Sequence, residues 1–132
     1  AMKVVVDEGA VLDCGGHRQY VASLGGEGIV SNGTIVAGAV VADANAAALT
    51  VEGTFEFASG MQVELKNLAS LGNLRGKTIP VLSATSYAGI ENLNTVVFSG
   101  ETFSDGLAAK LHVVDGVLSV TFVGKGSVIF FK

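Results

Sequence analysis

Three glutamates come nearest to a chemical site in this sequence: Glu52 in TVEG, Glu56 in FEF and Glu64 in VEL. Each alternates with apolar neighbours, so each points outward from its strand. If the three segments stack side by side, the carboxylates form a ladder with a step of about 4.8 Å. Like charges so placed repel unless Lys66 or a cation stands between them. Calcium, which takes oxygen ligands, is the metal that Glu52, Glu56 and Glu64 would suit. The competing reading is a solvated polar face, and the lack of an Asp-rich nonapeptide repeat favours it.

The remaining reactive residues do not converge. His17 and His112 are the only histidines and Cys14 the only cysteine. A zinc site needs three or four ligands, and these three stand at unrelated spacings. A nucleophilic triad needs serine, histidine and an acid together. His112 and Ser119 are neighbours in the hairpin described below, but the nearby Asp115 is committed to the turn. Cys14, in LDCGG, reads as a small buried hydrophobe. A β-helical lyase or hydrolase would need charged residues clustered on one face, and Arg18 and Arg75 are far apart in sequence. The expectation is therefore no enzyme, no catalytic residue and no cofactor. For sugar binding the candidates are Tyr20 and Tyr87, since an exposed aromatic ring stacks on the apolar face of a sugar. The alternative for both is an aromatic that covers core at a bend.

Composition narrows the partners. The chain has 132 residues, 49% of them hydrophobic, with mean hydropathy +0.55, enough for one domain with a real core. Net charge is −4 and the eight Lys and Arg are scattered, which leaves no electrostatic footprint for nucleic acid. No apolar run approaches the roughly 18 residues that a membrane span requires, so no membrane insertion is expected. Ala1 and Met2 read as residues added ahead of the natural chain. KVVVDEG lacks the order of a signal peptide, and the expectation is a fragment of a longer protein.

The elements are short. Residues 3–68 break into β-like pieces, among them KVVVDEG, AVLDCGG, GIVSNG, ALTVEG and MQVELKN, each closed by Gly or a small polar residue. They recur every six to ten residues or so, which suits coils built from short strands and tight bends. Residues 42–49 read as a bend. Leu65, Leu68, Leu71 and Leu74 suggest either a short helical face or one leucine per bend. Pro80 places KTIPVLSAT at a sheet edge, or shortens it. A strand is expected at residues 95–99, and GKGSVIFFK reads as a last strand.

The clearest element is KLHVVDGVLSVTF. Asp115-Gly116 suits a two-residue type I′ turn. Val114 then faces Val117, Val113 faces Leu118, His112 faces Ser119 and Leu111 faces Val120. Leu111, Val113, Leu118, Val120 and Phe122 share the core face. The expected architecture is all-β and a single domain, with solenoid-like coils over residues 3–76 and closing strands with a hairpin cap over residues 77–132. A β-sandwich is the alternative, since the same short strands could build it.

The stretch VLDCGGHRQYVASLGGEGIVSNGTIVAG resembles the repeat of autotransporter-associated β-strand proteins. It has the aliphatic-Asp-x-Gly-Gly opening, then Gln19-Tyr20-Val21-Ala22-Ser23-Leu24 and Gly26-Glu27-Gly28-Ile29-Val30-Ser31-Asn32-Gly33. LTVEGTFEFASGMQVEL is similar to a following coil pair. GKTIPVLSATSYAGIENL and KLHVVDGVLSVTF are similar to the closing segment. The resemblance implies a short right-handed parallel β-helix with an antiparallel C-terminal cap. It places the chain in a large protein secreted by, or displayed on the surface of, Gram-negative-type bacteria. Its implied role is a non-enzymatic structural spacer, with a carbohydrate-binding or adhesion module as the alternative. The expected partners are neighbouring coils of the parent protein; Tyr20 and Tyr87 add glycans, and an open edge at Val4, Val5 and Val6 adds self-association through the N-terminal end. Cys14 departs from the small or apolar residue usual in the repeat.

Overall fold

The computed structural model describes residues 2–103 and 106–124. The final strand read from residue 125 onward lies outside the described residues. The described residues are all-β and form one sheet of ten strands. They are β1 (Lys3–Val6), β2 (Val11–Asp13), β3 (Arg18–Val21), β4 (Ser23–Gly26), β5 (Ile29–Asp43), β6 (Leu49–Lys66), β7 (Thr78–Ala88), β8 (Val97–Gly100), β9 (Leu107–Val114) and β10 (Val117–Gly124).

Every pairing among β1 to β8 is parallel, and the pairings fall into three ladders. In the first, Val4 lies beside Leu24, Leu24 beside Val40, Val40 beside Val63, and Val63 beside Phe98. In the second, Leu12, Val30, Val51 and Ala84 follow one another. In the third, the order is Gln19, Ile35, Phe55 and Tyr87. Apart from Gln19 at the head of the third, apolar residues therefore stack on apolar residues along each column. The middle members, from Leu24 to Val63, Val30 to Val51 and Ile35 to Phe55, are buried. Each such side chain contributes roughly 1.5–3 kcal/mol relative to full exposure. This parallel pairing is not that of an antiparallel sandwich, which removes the sandwich alternative.

The sequence reads glycine as a strand terminator, and here the structure differs. Residues 29–43 and 49–66 are each one strand that bends as it runs. Their mutual register shifts between Ser31 and Thr34 and again between Ala37 and Ala39. At the first of these bends Gly33 has φ 146, and a Cβ on Gly53 would lie 2.4 Å from the Gly33 carbonyl oxygen. The two backbones touch at that corner, so only hydrogen fits there.

The expected division at residue 76 also moves. Parallel pairing continues through residues 82–88 of β7 and through β8. Along residues 78–83 of β7 lies the hairpin of β9 and β10, whose inner strand β10 pairs antiparallel with β7. Pro80 lies ahead of the residues that pair with β6, beside the register shift between Leu118 and Ser119. It therefore costs no hydrogen bond of the parallel ladder. The leucine series divides: Leu65 lies in β6, next to its last residue Lys66, and Leu68 and Leu71 sit in a single 3-10 turn, Leu68–Leu71. A second such turn, Ile90–Thr95, precedes β8, so the expected strand at residues 95–99 begins instead at Val97.

The hairpin register matches the sequence reading pair for pair. Asp115 and Gly116 both have positive φ, 53 and 78, as a type I′ turn requires. Leu118, Val120 and Phe122 are fully buried, while Leu111 and Val113 are half-buried at the outer strand. Ser119 is buried too, because β10 is flanked on both sides by β7 and β9.

Candidate functional site

Glu52, Glu56 and Glu64 all lie on β6, so they follow one another along a single strand instead of stacking as rungs. Their ladder neighbours are Ser31 for Glu52, Val36 and Ala88 for Glu56, and Val41 and Ser99 for Glu64. No carboxylate stands over another at these positions, and the expected ladder does not form. Its premise was that glycine separates strands, which Gly53 and Gly60 do not do. Glu56 instead accepts two hydrogen bonds from Arg18, from Nε at 2.9 Å and from an Nη at 2.7 Å. These bonds hold the Glu56 carboxyl below its ordinary value. The guanidinium side chain is 61% exposed, so the pair adds little stability. Glu64 lies 3.6 Å from Lys66. Among the described residues no group of three or more His, Cys, Asp or Glu is placed to hold a metal ion.

The two tyrosines have different surroundings. Tyr87 is half-buried on the third ladder. Its ring stacks on Phe57 at 5.7 Å and meets Phe55 edge-on at 6.3 Å. Its hydroxyl donates to the Gly116 carbonyl at 2.7 Å, tying the hairpin turn to the parallel ladders. Burial pushes the Tyr87 hydroxyl above its ordinary pKa. Neither the face nor the hydroxyl forms an open platform for a sugar. Tyr20 is 55% exposed and sits on the edge strand β3.

Tyr20 also borders a cavity of about 560 Å³ at the N-terminal end of the ladders. Met2, Val4 and Leu12 line it, and Cys14, Val21 and Ile35 form buried apolar floor. Cys14 is 2% exposed, as the sequence suggested. Burial, and then the neighbouring Asp13 carboxylate, raise its thiol pKa, which disfavours the reactive thiolate. Asp13 accepts from the Gly15 backbone N–H at 2.7 Å and from Asn32 at 3.0 Å. Those bonds, the backbone one first, lower the Asp13 pKa.

That arrangement occurs twice and was not foreseen. Asp43 accepts from the Asn45 backbone N–H at 2.8 Å and from the Asn67 side chain at 2.7 Å. Asn32 and Asn67 both have left-handed backbones, φ 60 and 58. Each strand-ending aspartate is thus clamped to an asparagine one rung further along. The signal in sequence was the pairing of LD with SN and of AD with KN, legible only once the rung length is known. His112 Nε2 lies 2.7 Å from Thr121 Oγ1, not against Ser119 and an acid. His17 is exposed in its bend.

Among the described residues no helix is long and apolar enough to cross a membrane. No family model, no curated protein and no solved structure matches this chain.

Proposed function

We propose that this chain is a non-enzymatic structural segment of a larger exported bacterial surface protein. In this reading it is a short right-handed parallel β-helix that extends by stacking rung on rung. Handedness follows the strong right-handed preference of parallel crossovers. Export and a bacterial surface rest on the resemblance of residues 11–38 to the autotransporter-associated repeat.

One observation carries the structural reading. Among the described residues, the three parallel ladders stop at β1, β2 and β3 with one side of each strand unpaired, over a floor of apolar core. Solenoids behave this way wherever a repeat is missing its neighbour, because stability is shared between adjacent repeats. The opposite end carries an antiparallel hairpin.

The test adds a rung. Residues 23–38 duplicated directly ahead of Lys3 would lay a second Leu24 over Val4, a second Val30 over Leu12 and a second Ile35 over Gln19, following the observed registers. The expected result is a Tm higher by about 5 °C or more, with the added residues resistant to protease. An unchanged or lower Tm, with the added segment digested away, would overturn the stacking reading.

A further inference from the structure

We propose that Asn32 is a site of spontaneous covalent modification, guarded by the bend between β2 and β3. When that bend opens, the Gly33 nitrogen attacks the Asn32 carboxamide and converts it to aspartate or isoaspartate. Neither product fits the closed bend, so the change runs one way.

The fold imposes the reactive pair. An asparagine followed by glycine cyclises on its own backbone most readily, because glycine puts no side chain in the path of its nitrogen. Asn32-Gly33 is the only such dipeptide in the chain. Asn32 has φ 60, a left-handed backbone that asparagine tolerates. A Cβ on Gly33 would lie 2.4 Å from the His17 carbonyl oxygen and 2.8 Å from Cys14 Cβ. The corner therefore demands glycine after the asparagine.

The reaction needs no partner but water. The Gly33 nitrogen bonds to Asn32 Cγ, the Cγ–Nδ2 bond breaks, and the proton of the Gly33 amide leaves with ammonia. Water then adds to one carbonyl of the resulting imide and opens the ring. Opening on one side gives aspartate. Opening on the other gives isoaspartate, in which the main chain runs through Cγ.

The folded chain holds the first step back. For the Gly33 nitrogen to reach Cγ, the peptide plane between residues 32 and 33 has to turn, and the Asn32 carbonyl turns with it. That carbonyl accepts from the Gly16 backbone N–H at 2.7 Å. The leaving nitrogen, Nδ2, donates to Asp13 Oδ1 at 3.0 Å. On either side, the Ser31 carbonyl accepts from the Cys14 N–H at 2.9 Å, and the Thr34 N–H donates to the His17 carbonyl at 3.1 Å. The bend thus pins the pair from before and after, and the attack must break the bonds from Gly16 and to Asp13. Opening of a surface bend is a local event, well short of global unfolding.

The products explain the direction. An aspartate in place of Asn32 sets a second carboxylate against Asp13 where a hydrogen bond stood, and like charges so close repel. Isoaspartate lengthens the main chain by one carbon. It does so at the corner where a Cβ on Gly53 would already lie 2.4 Å from the Gly33 carbonyl oxygen. The clamp of Asp43 on Asn67 is the matched comparison: Asn67 has the same left-handed backbone, φ 58, but Leu68 follows it.

Peptide mapping of the whole chain by mass spectrometry is the test, after incubation at about 37 °C and about pH 8.5, folded and in urea; conversion adds about one mass unit. Asn32 is expected to convert about tenfold or more faster in urea than in the folded chain. Asp13→Ala, at an exposed position, is expected to speed conversion of Asn32 in the folded chain about fivefold. Asp43→Ala is expected to leave the Asn32 rate unchanged and Asn67 unconverted. Asn32→Asp is expected to lower the Tm by about 3 °C or more, a loss that shrinks once the pH is low enough to protonate one of the two carboxyls. Equal rates at Asn32 in urea and in the folded chain would overturn the guard, and the comparison needs no variant. An equal gain from Asp43→Ala and from Asp13→Ala would overturn it too, since the effect would then be one of stability alone. No conversion of Asn32 in urea would remove the site.

Discussion

The two ends of this sheet meet the same hazard in opposite ways. At the C-terminal end the chain reverses direction, and β10 lies beside β7 with Leu118, Val120 and Phe122 fully buried. Phe103 meets Phe122 edge-on at 5.2 Å, and Tyr87 holds the turn at Gly116. At the N-terminal end Val4 and Leu12 are only half-buried and Gln19 stands exposed at the head of its apolar column. A hairpin needs two turn residues, so a cap of that kind is encoded locally. Closing a parallel edge takes another whole rung. The difference is between a hairpin laid along β7 and parallel edges at β1, β2 and β3 that no described residue pairs.

The largest effect expected from this contrast is in the core columns. Phe55→Ala and Phe122→Ala should each cost about 3–5 kcal/mol in urea unfolding, because both rings are fully buried. Val4→Ala, half-buried at the open end, should cost about 1 kcal/mol or less. If Val4→Ala proved as costly as Phe122→Ala, the two ends would not differ as described.

A smaller effect sharpens the closed end. Tyr87→Phe keeps the ring packing and removes the bond to Gly116, so it should cost about 1 kcal/mol. The pH dependence gives the sign. The hydroxyl pKa is raised in the folded state by burial, so its contribution is present below the ordinary tyrosine value and is lost as the pH rises through the folded value. The native chain should therefore lose more stability than Tyr87→Phe as the pH rises above about 10. Parallel curves for the two proteins would place the hydroxyl in solvent instead.

The hairpin was legible down to its register because its information is local. Asp115-Gly116 fixes the turn, and side-chain alternation fixes the rest. The apolar columns were legible in kind, since the β-branched and aromatic residues of residues 29–65 do stack inward. The partners of the polar residues were not. Arg18 reaches Glu56, 38 residues away, and Asp13 reaches Asn32, 19 residues away. Those pairings depend on how many residues make one rung, and glycine misleads that count. Gly33 and Gly53 bend a continuous strand where a sequence reading ends one, and this is why Glu52, Glu56 and Glu64 were stacked when they in fact lie in line. Tyr87 reads in the sequence as a sugar platform or as an aromatic over core at a bend, yet it ends the column that begins at Gln19.

Hydrogen exchange read by mass spectrometry tests the asymmetry of the two ends most directly. The prediction is fast exchange of the outward-pointing amides of β1, β2 and β3, and slow exchange through β5, β6 and β10. Equal protection of β1 to β3 and of β10 would mean that the N-terminal end is already closed, and would contradict the account.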